Sequence, residues 1–316
     1  MDVSGLTSRA IIGMYYRRAE VMPGVGWVDQ VANLFESDQE SETYKWLGMS
    51  PAMREWVGGR QAKGFRENGI TIANKHYEST IEIELSDIRR DKTGQIRARI
   101  EEFADKQNQH WASLLSTLIM NGVSTACYDG QFFFDTDHSE GDSGSQSNDI
   151  SVDISAVPAE VHGSVTAPSA GEFQWAIMEG VAKILGFLDD RGEPMNEAAK
   201  SFVVMVPPSL YIPAQEALTA VSTAAMAQNL NPNLIAGMQI DAAINPRLTW
   251  TDSFAVFRTD SAIKPFIRQR EEDSELEAKA EGSEFEFDNK AWQFGIDSWR
   301  NVGYGYWQHA CYVTMT

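Results

Sequence analysis

Alternation of apolar and polar residues is clearest between His76 and Leu85. Tyr77, Ile81, Ile83 and Leu85 alternate with charged and polar residues along this segment. A period of two with one polar face is typical of a half-buried or edge strand. We therefore expect a strand here whose apolar face packs on the protein and whose acidic face stays in solvent.

A helical period follows this strand. Apolar residues three and four positions apart predict a single amphipathic helix that Thr93 caps and Gly122 ends. About 28 residues at a rise of about 1.5 Å give a rod of roughly 40 Å, against about 11 residues for a typical helix. We expect such a rod to span its domain as a support. Its buried face is predicted to consist of Ile96, Ile100, Phe103, Trp111, Leu114, Leu115 and Leu118.

The rest of the pattern mixes helices and strands, which indicates an α+β protein. Ser169 and Glu172 have the spacing of a capping box, so a helix is expected from Ser169 to Leu188. Residues 139–170 are dominated by small and polar residues and are expected to form a loop or inserted flap. Further helices are expected at residues 7–19, 27–36 and 212–228, and strands at residues 131–134, 201–206, 234–244, 247–258, 292–297 and 302–313.

Residues 54–66 form a basic stretch punctuated by glycine. Together with Asn68-Gly69, these glycines predict a hairpin-like loop with a turn at its tip. A loop of this kind cannot pack on itself, so we expect it to contact a neighbouring subunit. The candidate contact residues are Arg54, Trp56, Arg60, Lys63, Phe65 and Arg66.

An acidic segment, residues 271–288, is the expected complement of that loop. Charge pairs in interfaces chiefly set register and specificity. The basic residues could instead meet phosphate, or both segments could be solvated surfaces, and the pattern leaves these alternatives open. The candidate acidic residues are Glu271, Glu272, Asp273, Glu275 and Glu277.

Composition narrows the possible functions. A formal net charge of -19 over 316 residues argues against nucleic-acid binding by the whole surface, because phosphate must be met by lysine and arginine. The two cysteines, Cys127 and Cys311, lack the spacing of a disulfide framework or zinc site, so reduced thiols are expected.

Apolar runs fall short of the roughly 20 residues of a membrane helix, and the N-terminus lacks a signal-peptide pattern. We expect synthesis in the cytosol and no membrane contact.

Catalytic chemistry has one weak candidate. Asp135, Asp137 and His138 could hold a metal that activates water, which would make the chain a metal-assisted hydrolase. Their spacing fits neither HExxH nor an EF-hand loop, and the nucleophile-elbow and phosphate-loop motifs are missing. We therefore expect no catalytic residue, no cofactor and no metal site, and we keep the hydrolase as an alternative hypothesis.

Several blocks of sequence, taken in order, resemble the major head subunits of Mu-like tailed bacteriophages. The similarity runs from about residue 25 to the C-terminus. It implies a major capsid protein with the HK97-like fold, named after phage Hong Kong 97. A decoration or tail-tube protein is the other virion alternative, and the long predicted helix argues against it. The blocks are Tyr44-Lys-Trp-Leu-Gly48, Met53-Arg-Glu-Trp-Val-Gly58, Ile72-Ala-Asn-Lys75, Cys127-Tyr-Asp-Gly-Gln131 and Phe133-Phe-Asp-Thr-Asp-His138.

The resemblance also implies how the chain is divided. Residues 1–50 would be an N-terminal arm whose aromatic residues dock on the protein's own core or on another subunit, and residues 51–85 an extended loop. Residues 86–170 would hold the spine helix and polar insert of a peripheral domain. Residues 171–258 would form an axial domain, and residues 259–316 would return to the peripheral domain as strands.

The partners follow from the same resemblance. Subunits of this family form hexamers and pentamers of an icosahedral head, with a scaffolding protein, a maturation protease and a portal as assembly partners. The head would enclose double-stranded DNA without sequence-specific binding. The chain would therefore be assembled in the host cytoplasm and end in the virion.

Overall fold

Two β-sheets with helices packed on them form the body of the chain. The computed structural model describes residues 7–21, 24–45, 69–91, 94–157, 162–227, 234–235 and 237–316. Within these ranges the helices are α1 (Ser8–Val21), α2 (Trp27–Val31), α3 (Leu85–Arg90), α4 (Gln95–Asn108), α5 (His110–Met120), α6 (Ala170–Leu185), α7 (Tyr211–Ala227) and α8 (Glu284–Asn289). The strands are β1 (Ala32–Glu36), β2 (Ser41–Tyr44), β3 (Ile70–Ala73), β4 (Lys75–Glu84), β5 (Asp149–Val152), β6 (Ser201–Val206), β7 (Leu234–Ile235), β8 (Met238–Ile244), β9 (Ser253–Arg258), β10 (Phe266–Arg270), β11 (Glu275–Lys279), β12 (Ala291–Tyr304) and β13 (Ala310–Met315).

The first sheet has five strands with β12 at its centre. β10 and β11 pair with one side of β12, β4 pairs with the other side, and β1 lies parallel to β10. Trp292, Phe294 and Ile296 alternate along β12 and are buried with Ile11 of α1 and Ile100 of α4. The strand predicted from the alternation near residue 76 is confirmed as β4.

The second sheet has six strands in the order β5-β13-β9-β6-β8-β7. β6 lies in its interior, and every residue from Phe202 to Val206 is buried, as its uninterrupted apolar run predicts. α6 packs against β13 and β9, and α7 packs against α6 and β8. The capping box of α6 is confirmed, with Ser169 and Glu172 bonded to each other's backbone N–H. Among the described residues, no helix is both long and apolar enough to cross a bilayer.

The predicted single rod is two helices, α4 and α5, interrupted at Gln109. The two halves serve different cores: Ile100 packs beneath the first sheet, whereas Leu115 joins the larger cluster that continues into the second sheet. Asn108 stands between them, and its side-chain amide donates to the Ala19 carbonyl at 3.0 Å. Leu114, predicted to be buried, is only half-buried, because it lies on the flank of the buried face.

The start of α4 is held by Asp91. Its carboxylate accepts hydrogen bonds from the backbone N–H groups of Gly94, Gln95 and Ile96 at 2.8, 3.1 and 3.1 Å. These N–H groups have no partner within the helix, so the carboxylate satisfies them and also favours the positive end of the helix dipole. The predicted cap, Thr93, lies outside the described residues.

The described part of the predicted arm docks on the protein's own core. α1 packs along α4 with Ile11 and Tyr15 buried, and Trp27 joins the larger core. Residues 32–36 were predicted as helix, but they form β1 because they pair in register with β10. The pairing partner is more than 200 positions away in the sequence, so a local pattern could not indicate it.

Other strand predictions need correction. Residues 131–134 make only an isolated bridge, in which Phe133 and Phe134 are buried and Phe132 is exposed. The strand predicted at 302–313 is split between β12 and β13 by a 3-10 turn at Trp307–His309. β13 lies in the second sheet, so residues 310–315 do not return to the first sheet with the rest of the segment. The flap predicted at 139–170 contributes β5 to that same second sheet.

Candidate assembly surfaces

β2 and β3 form the base of a hairpin that leaves the first sheet. They pair antiparallel with Tyr44 opposite Ile70, so residues 45–69 connect the two strands. Gly69 belongs to this base and not to the predicted tip: a Cβ there would lie 2.8 Å from the Tyr44 carbonyl oxygen, so glycine is required. The predicted contact residues of the loop lie outside the described residues; they are Arg54, Trp56, Arg60, Lys63, Phe65 and Arg66.

Buried hydrogen bonds anchor the hairpin base to β10. The Tyr44 hydroxyl donates to Oε1 of Gln269 at 2.8 Å, and Nε2 of Gln269 donates to the Ile72 carbonyl at 3.1 Å and to Oδ1 of Asn74 at 2.8 Å. Burial raises the pKa of Tyr44 to about 12, so its hydroxyl remains a donor at physiological pH. Gly303 of β12 leaves room for the Ile72 side chain, which would lie 2.3 Å from a Cβ there. The base is therefore a fixed part of the body.

The predicted acidic complement lies largely in solvent. Glu272, Asp273, Glu275 and Glu277 are exposed on β11 and the turn before it, whereas Glu271 is half-buried. The Glu271 carboxylate accepts a hydrogen bond from Nδ2 of Asn74 at 3.1 Å, directly beside the hairpin base. Glu275 and Glu277 therefore lie on the edge strand β11, whereas Glu271 lies beside the hairpin base.

Most carboxylates of this acidic edge form no ion pair with a described residue, although the exposed Lys279 lies on the same strand. Asp273 is bonded to Nη1 of Arg270 at 2.8 Å. Glu272, Glu275 and Glu277 form no ion pair within the described ranges. β11 pairs only with β12, so these carboxylates line an open sheet edge. Charges at such an edge discourage unwanted strand pairing and leave a surface that a basic partner fits.

Exposed apolar side chains form a second set of contact candidates, one that the sequence pattern did not indicate. Trp175 of α6 is 50% exposed, Ile212 of α7 is 66% exposed and Phe287 of α8 is 75% exposed. Phe287 stands inside the acidic segment, where the alternating glutamates and phenylalanines gave no helical signal. The ammonium of Lys290 lies 5.0 Å from the centre of its ring. Large exposed apolar groups of this kind are common at protein contacts.

The hydrolase candidate His138 is buried in a hydrogen-bonded cluster. Its Nδ1 lies 2.6 Å from Oδ2 of Asp129, and its ring stacks on Trp307 with centroids 4.0 Å apart. The Cys127 thiol donates to Oδ1 of the same aspartate at 2.9 Å. Within the described residues these three potential metal ligands, Cys127, Asp129 and His138, lie close together, with one ligand atom of each within 4.8 Å of the others. In this geometry the Cys127 thiol and the His138 ring contact the same carboxylate, so a metal would have to replace these hydrogen bonds.

The other two hydrolase candidates do not face His138 as metal ligands. Burial alone would raise the pKa of Asp135, but hydrogen bonds from the backbone N–H groups of Thr136 and Phe132 hold it below its usual value. Asp137 is exposed, and the hydrogen bond with Asp135 raises its pKa. The segment is therefore a hydrogen-bonded loop around a buried histidine, without an open site for substrate.

The sequence of the chain matches the model of the family described as Mu-like prophage major head subunit gpT, over residues 15–157 and 242–316. These two segments make up well over half of the chain. The chain belongs to this family. All three hydrolase candidates and the acidic edge fall inside the matched segments.

Two curated relatives share part of the sequence. The Mu-like prophage FluMu major head subunit of Haemophilus influenzae is 38% identical over 112 residues, which cover 35% of this chain and 36% of that protein. The major capsid protein of Escherichia phage Mu is 34% identical over 110 residues, covering 35% and 36%. The aligned part thus spans about a third of either relative.

Solved structures share the fold over nearly the whole chain. The procapsid of bacteriophage JBD30 superposes with a TM-score of 0.55 at 22% identity, covering 97% of this chain and 74% of that one. The virus-like particle from Pyrococcus furiosus superposes with a TM-score of 0.54 at 8% identity, covering 96% and 98%. The chain therefore has the HK97-like capsid fold that the sequence resemblance predicted.

Proposed function

We propose that this chain is the major subunit of an icosahedral phage head and assembles as hexamers and pentamers around double-stranded DNA. The observation that carries the proposal is the hairpin base. Two short strands are fixed to the body by buried hydrogen bonds, yet the segment between them spans residues 45–69. Connections beyond about 15 residues are uncommon in a compact domain unless they have a function.

Charge supports contact between copies through this segment. The connecting residues include Arg54, Arg60, Lys63 and Arg66. The edge formed by β11 presents Glu275 and Glu277, which form no ion pair within the described residues. A basic loop of one copy on the acidic edge of another would set the register of neighbouring subunits. In a closed shell each modest contact is repeated by symmetry, so weak pairs add to a stable lattice.

A charge-reversal experiment tests this contact. Replacing both Glu275 and Glu277 with lysine should leave the subunit folded, because both side chains are exposed, but should prevent shells from forming. Adding Arg60→Glu and Lys63→Glu should restore part of the assembly by exchanging the two charges. Sedimentation and electron microscopy measure the shells, and circular dichroism measures the fold.

Glu197→Lys is the matched control for that experiment. Glu197 is an exposed carboxylate in the loop between α6 and β6, so its reversal changes the net charge without touching the acidic edge. Shells should form normally with this substitution. Normal assembly of the Glu275→Lys and Glu277→Lys double variant would contradict the proposed contact.

The remaining partners extend the same proposal. A scaffolding protein, a maturation protease and a portal would act during assembly in the host cytoplasm, and the finished chain would reside in the virion. Contact with the packaged DNA would be independent of sequence and weak per subunit, since the net charge is -19. An enzymatic role is not proposed, because the family is one of head subunits.

A further inference from the structure

A small cavity lies between the first sheet and the junction of α4 with α5. Its volume is about 190 Å³, and its walls include the side chains of Tyr77, Phe103, Lys106, His110 and Arg300. Sites for drug-sized molecules measure about 300–1,000 Å³. This cavity is therefore suited to one small group, such as a single side-chain head or an inorganic ion.

Arg300 is an unusual lining residue of this cavity, because it is a buried cation. Its side chain is buried, with the residue only 4% exposed. Its Nε donates to the Ser298 hydroxyl at 2.8 Å, its Nη2 donates to the Ser274 hydroxyl, and its guanidinium lies 5.0 Å from the centre of the Trp111 ring. Within the described residues no carboxylate lies at ion-pair distance from it.

The other two buried arginines of the described residues each form an ion pair with an aspartate, and Arg300 has no such partner. Nε of Arg258 lies 2.7 Å from Asp260, and Nη2 of Arg268 lies 2.6 Å from Asp29. Each of these arginines is 8% exposed, so their burial is similar to that of Arg300. A buried cation without an anion is costly, because hydroxyl groups and an aromatic ring replace only part of its hydration. Arg300 thus differs from its two counterparts by the lack of an anion.

Strand pairing adds further positive charge around Arg300. Arg270 of β10 and Lys75 of β4 stand directly opposite it in the neighbouring strands, so three cationic residues form a row on one face. Arg270 is paired with Glu36 and Asp273, so Lys75 adds most of the uncompensated charge. Like charges in such positions repel one another. Burial, followed by the charges of Arg300 and Arg247, lowers the pKa of His110 to about 4, so this ring is neutral at physiological pH.

The acidic groups near the cavity do not supply the missing anion. Asp273 attracts Arg300, but its carboxylate is exposed and bonded to Arg270 at 2.8 Å. Glu78 stands at the rim, where it is exposed and accepts the Thr80 hydroxyl at 3.1 Å. The cavity therefore remains a cationic site in a strongly acidic protein.

We propose that this cavity binds an oxyanion, a carboxylate or phosphate group, between Arg300 and Lys106. Ser274 contributes a third donor: its oxygen already accepts hydrogen bonds from Gln107 and Arg300, so its own hydroxyl proton is free to point to the anion. The rings of Tyr77 and Phe103 line the cavity beside Arg300, and an ion pair is stronger beside apolar groups than in bulk water.

The oxyanion has two possible sources. One is a free ion of the cytoplasm. The other is an acidic side chain of a second copy of this chain, which rests on the proposed function because it requires assembled subunits. The chemistry of the site is the same for both, so the site itself is tested on the unassembled subunit.

The first test is thermal unfolding of the purified full-length subunit with sodium phosphate or sodium acetate, at constant ionic strength kept with chloride. A ligand that binds the folded state raises Tm in a saturable way. Arg300→Met should abolish this rise, and Arg97→Ala, which removes an exposed arginine of α4, should preserve it. A Tm that does not respond to either ion, or responds equally in Arg300→Met, would overturn the proposal.

Two substitutions at the rim of the cavity test the site even if the Arg300→Met variant does not fold. Lys106→Ala should weaken binding roughly tenfold, the loss of one charge-assisted hydrogen bond. Glu78→Gln should strengthen it, because it removes a like charge from the rim. Unchanged affinity in both variants would place the ion elsewhere and refute the site.

Cryo-electron microscopy of assembled particles then distinguishes the two sources of the oxyanion. Density in the cavity that is continuous with a neighbouring chain identifies a second copy, and isolated density identifies a free ion; both support the site. An empty cavity in particles prepared in phosphate buffer contradicts it. A failure to form particles would count against the proposed function alone, because the subunit titration does not depend on assembly.

Discussion

At the scale of single residues, neighbours decide the role of a titratable side chain. Nδ2 of Asn148 donates to the Phe133 carbonyl at 2.8 Å, so its Oδ1 must accept, and it accepts from Nε2 of His138 at 3.2 Å. Nδ1 of His138 then faces the carboxylate of Asp129 at 2.6 Å. His138 therefore connects two loop segments through hydrogen bonds to Asp129 and Asn148. The residue that suggested metal chemistry in the sequence has a structural role here.

Removing the charge of Asp129 should therefore destabilise the fold. Asp129→Asn removes the carboxylate that the buried His138 ring and the Cys127 thiol contact, and a hydrogen bond to a charged group contributes about 1.5–3 kcal/mol. Urea unfolding measures the change in free energy. Asp137→Asn, an exposed neighbour, is the control and should change the free energy of unfolding by less than about 0.5 kcal/mol. Equal effects of the two substitutions would refute the assignment.

Burial also separates two adjacent leucines of α5. Leu115 is 0% exposed, whereas Leu114 is half-buried. Leu115→Ala should cost about 2–5 kcal/mol of unfolding free energy through lost contacts and a cavity, and Leu114→Ala about 1 kcal/mol or less. Chemical denaturation of the two variants tests this. A larger loss for Leu114→Ala would mean that the buried face of α5 is wrongly assigned.

At the scale of elements, the sequence predicted those whose signals are local. The capping box of α6 and the alternation of β4 were recognised because a few consecutive residues carry them. The break at Gln109 was missed, because it reflects which core each half-helix contacts. The sheet to which β13 belongs depends on β5 and β9, far away in sequence, so no local pattern could show it.

The cap of α6 gives stability a defined dependence on pH. Burial alone would raise the pKa of Glu172, but hydrogen bonds from the backbone N–H groups of Ser169 and Gly163 and from His162 lower it to about 2. A carboxyl group with a lowered pKa stabilises the fold above its unfolded value of about 4.3 and loses this contribution as pH falls toward the folded value.

Glu172→Gln tests that dependence. The free energy of unfolding of the variant should lie below that of the unchanged chain at pH 7, and the gap should shrink as pH falls from about 4.5 toward 2. Urea unfolding across this range measures the gap. Glu179→Gln, on an exposed position of the same helix, should show no such gap. If the difference in free energy of unfolding for Glu172→Gln stayed the same at pH 2, the charge of Glu172 could not be its cause.

At the scale of the whole molecule, the chain combines a body of two sheets with the long segment 45–69 that connects β2 and β3. The two sheets share one aromatic core in which Phe133 stacks on Tyr304 with centroids 4.6 Å apart. The resemblance of ordered sequence blocks predicted the family and the fold correctly. It left open whether the arm docks on the protein's own core or on another subunit, because packing partners of an arm are not encoded in its local pattern. In the structure α1 packs on the chain's own α4.

The most direct measurement is cryo-electron microscopy of particles from cells that express the head proteins of the phage. The account predicts a closed icosahedral shell built of hexamers and pentamers of this chain, with the chain as the most abundant species of the particle. A chain lacking residues 60–68 should remain folded and be absent from shells. Particles whose shell lattice contains another protein, with this chain present in few copies or as a free monomer, would contradict the account.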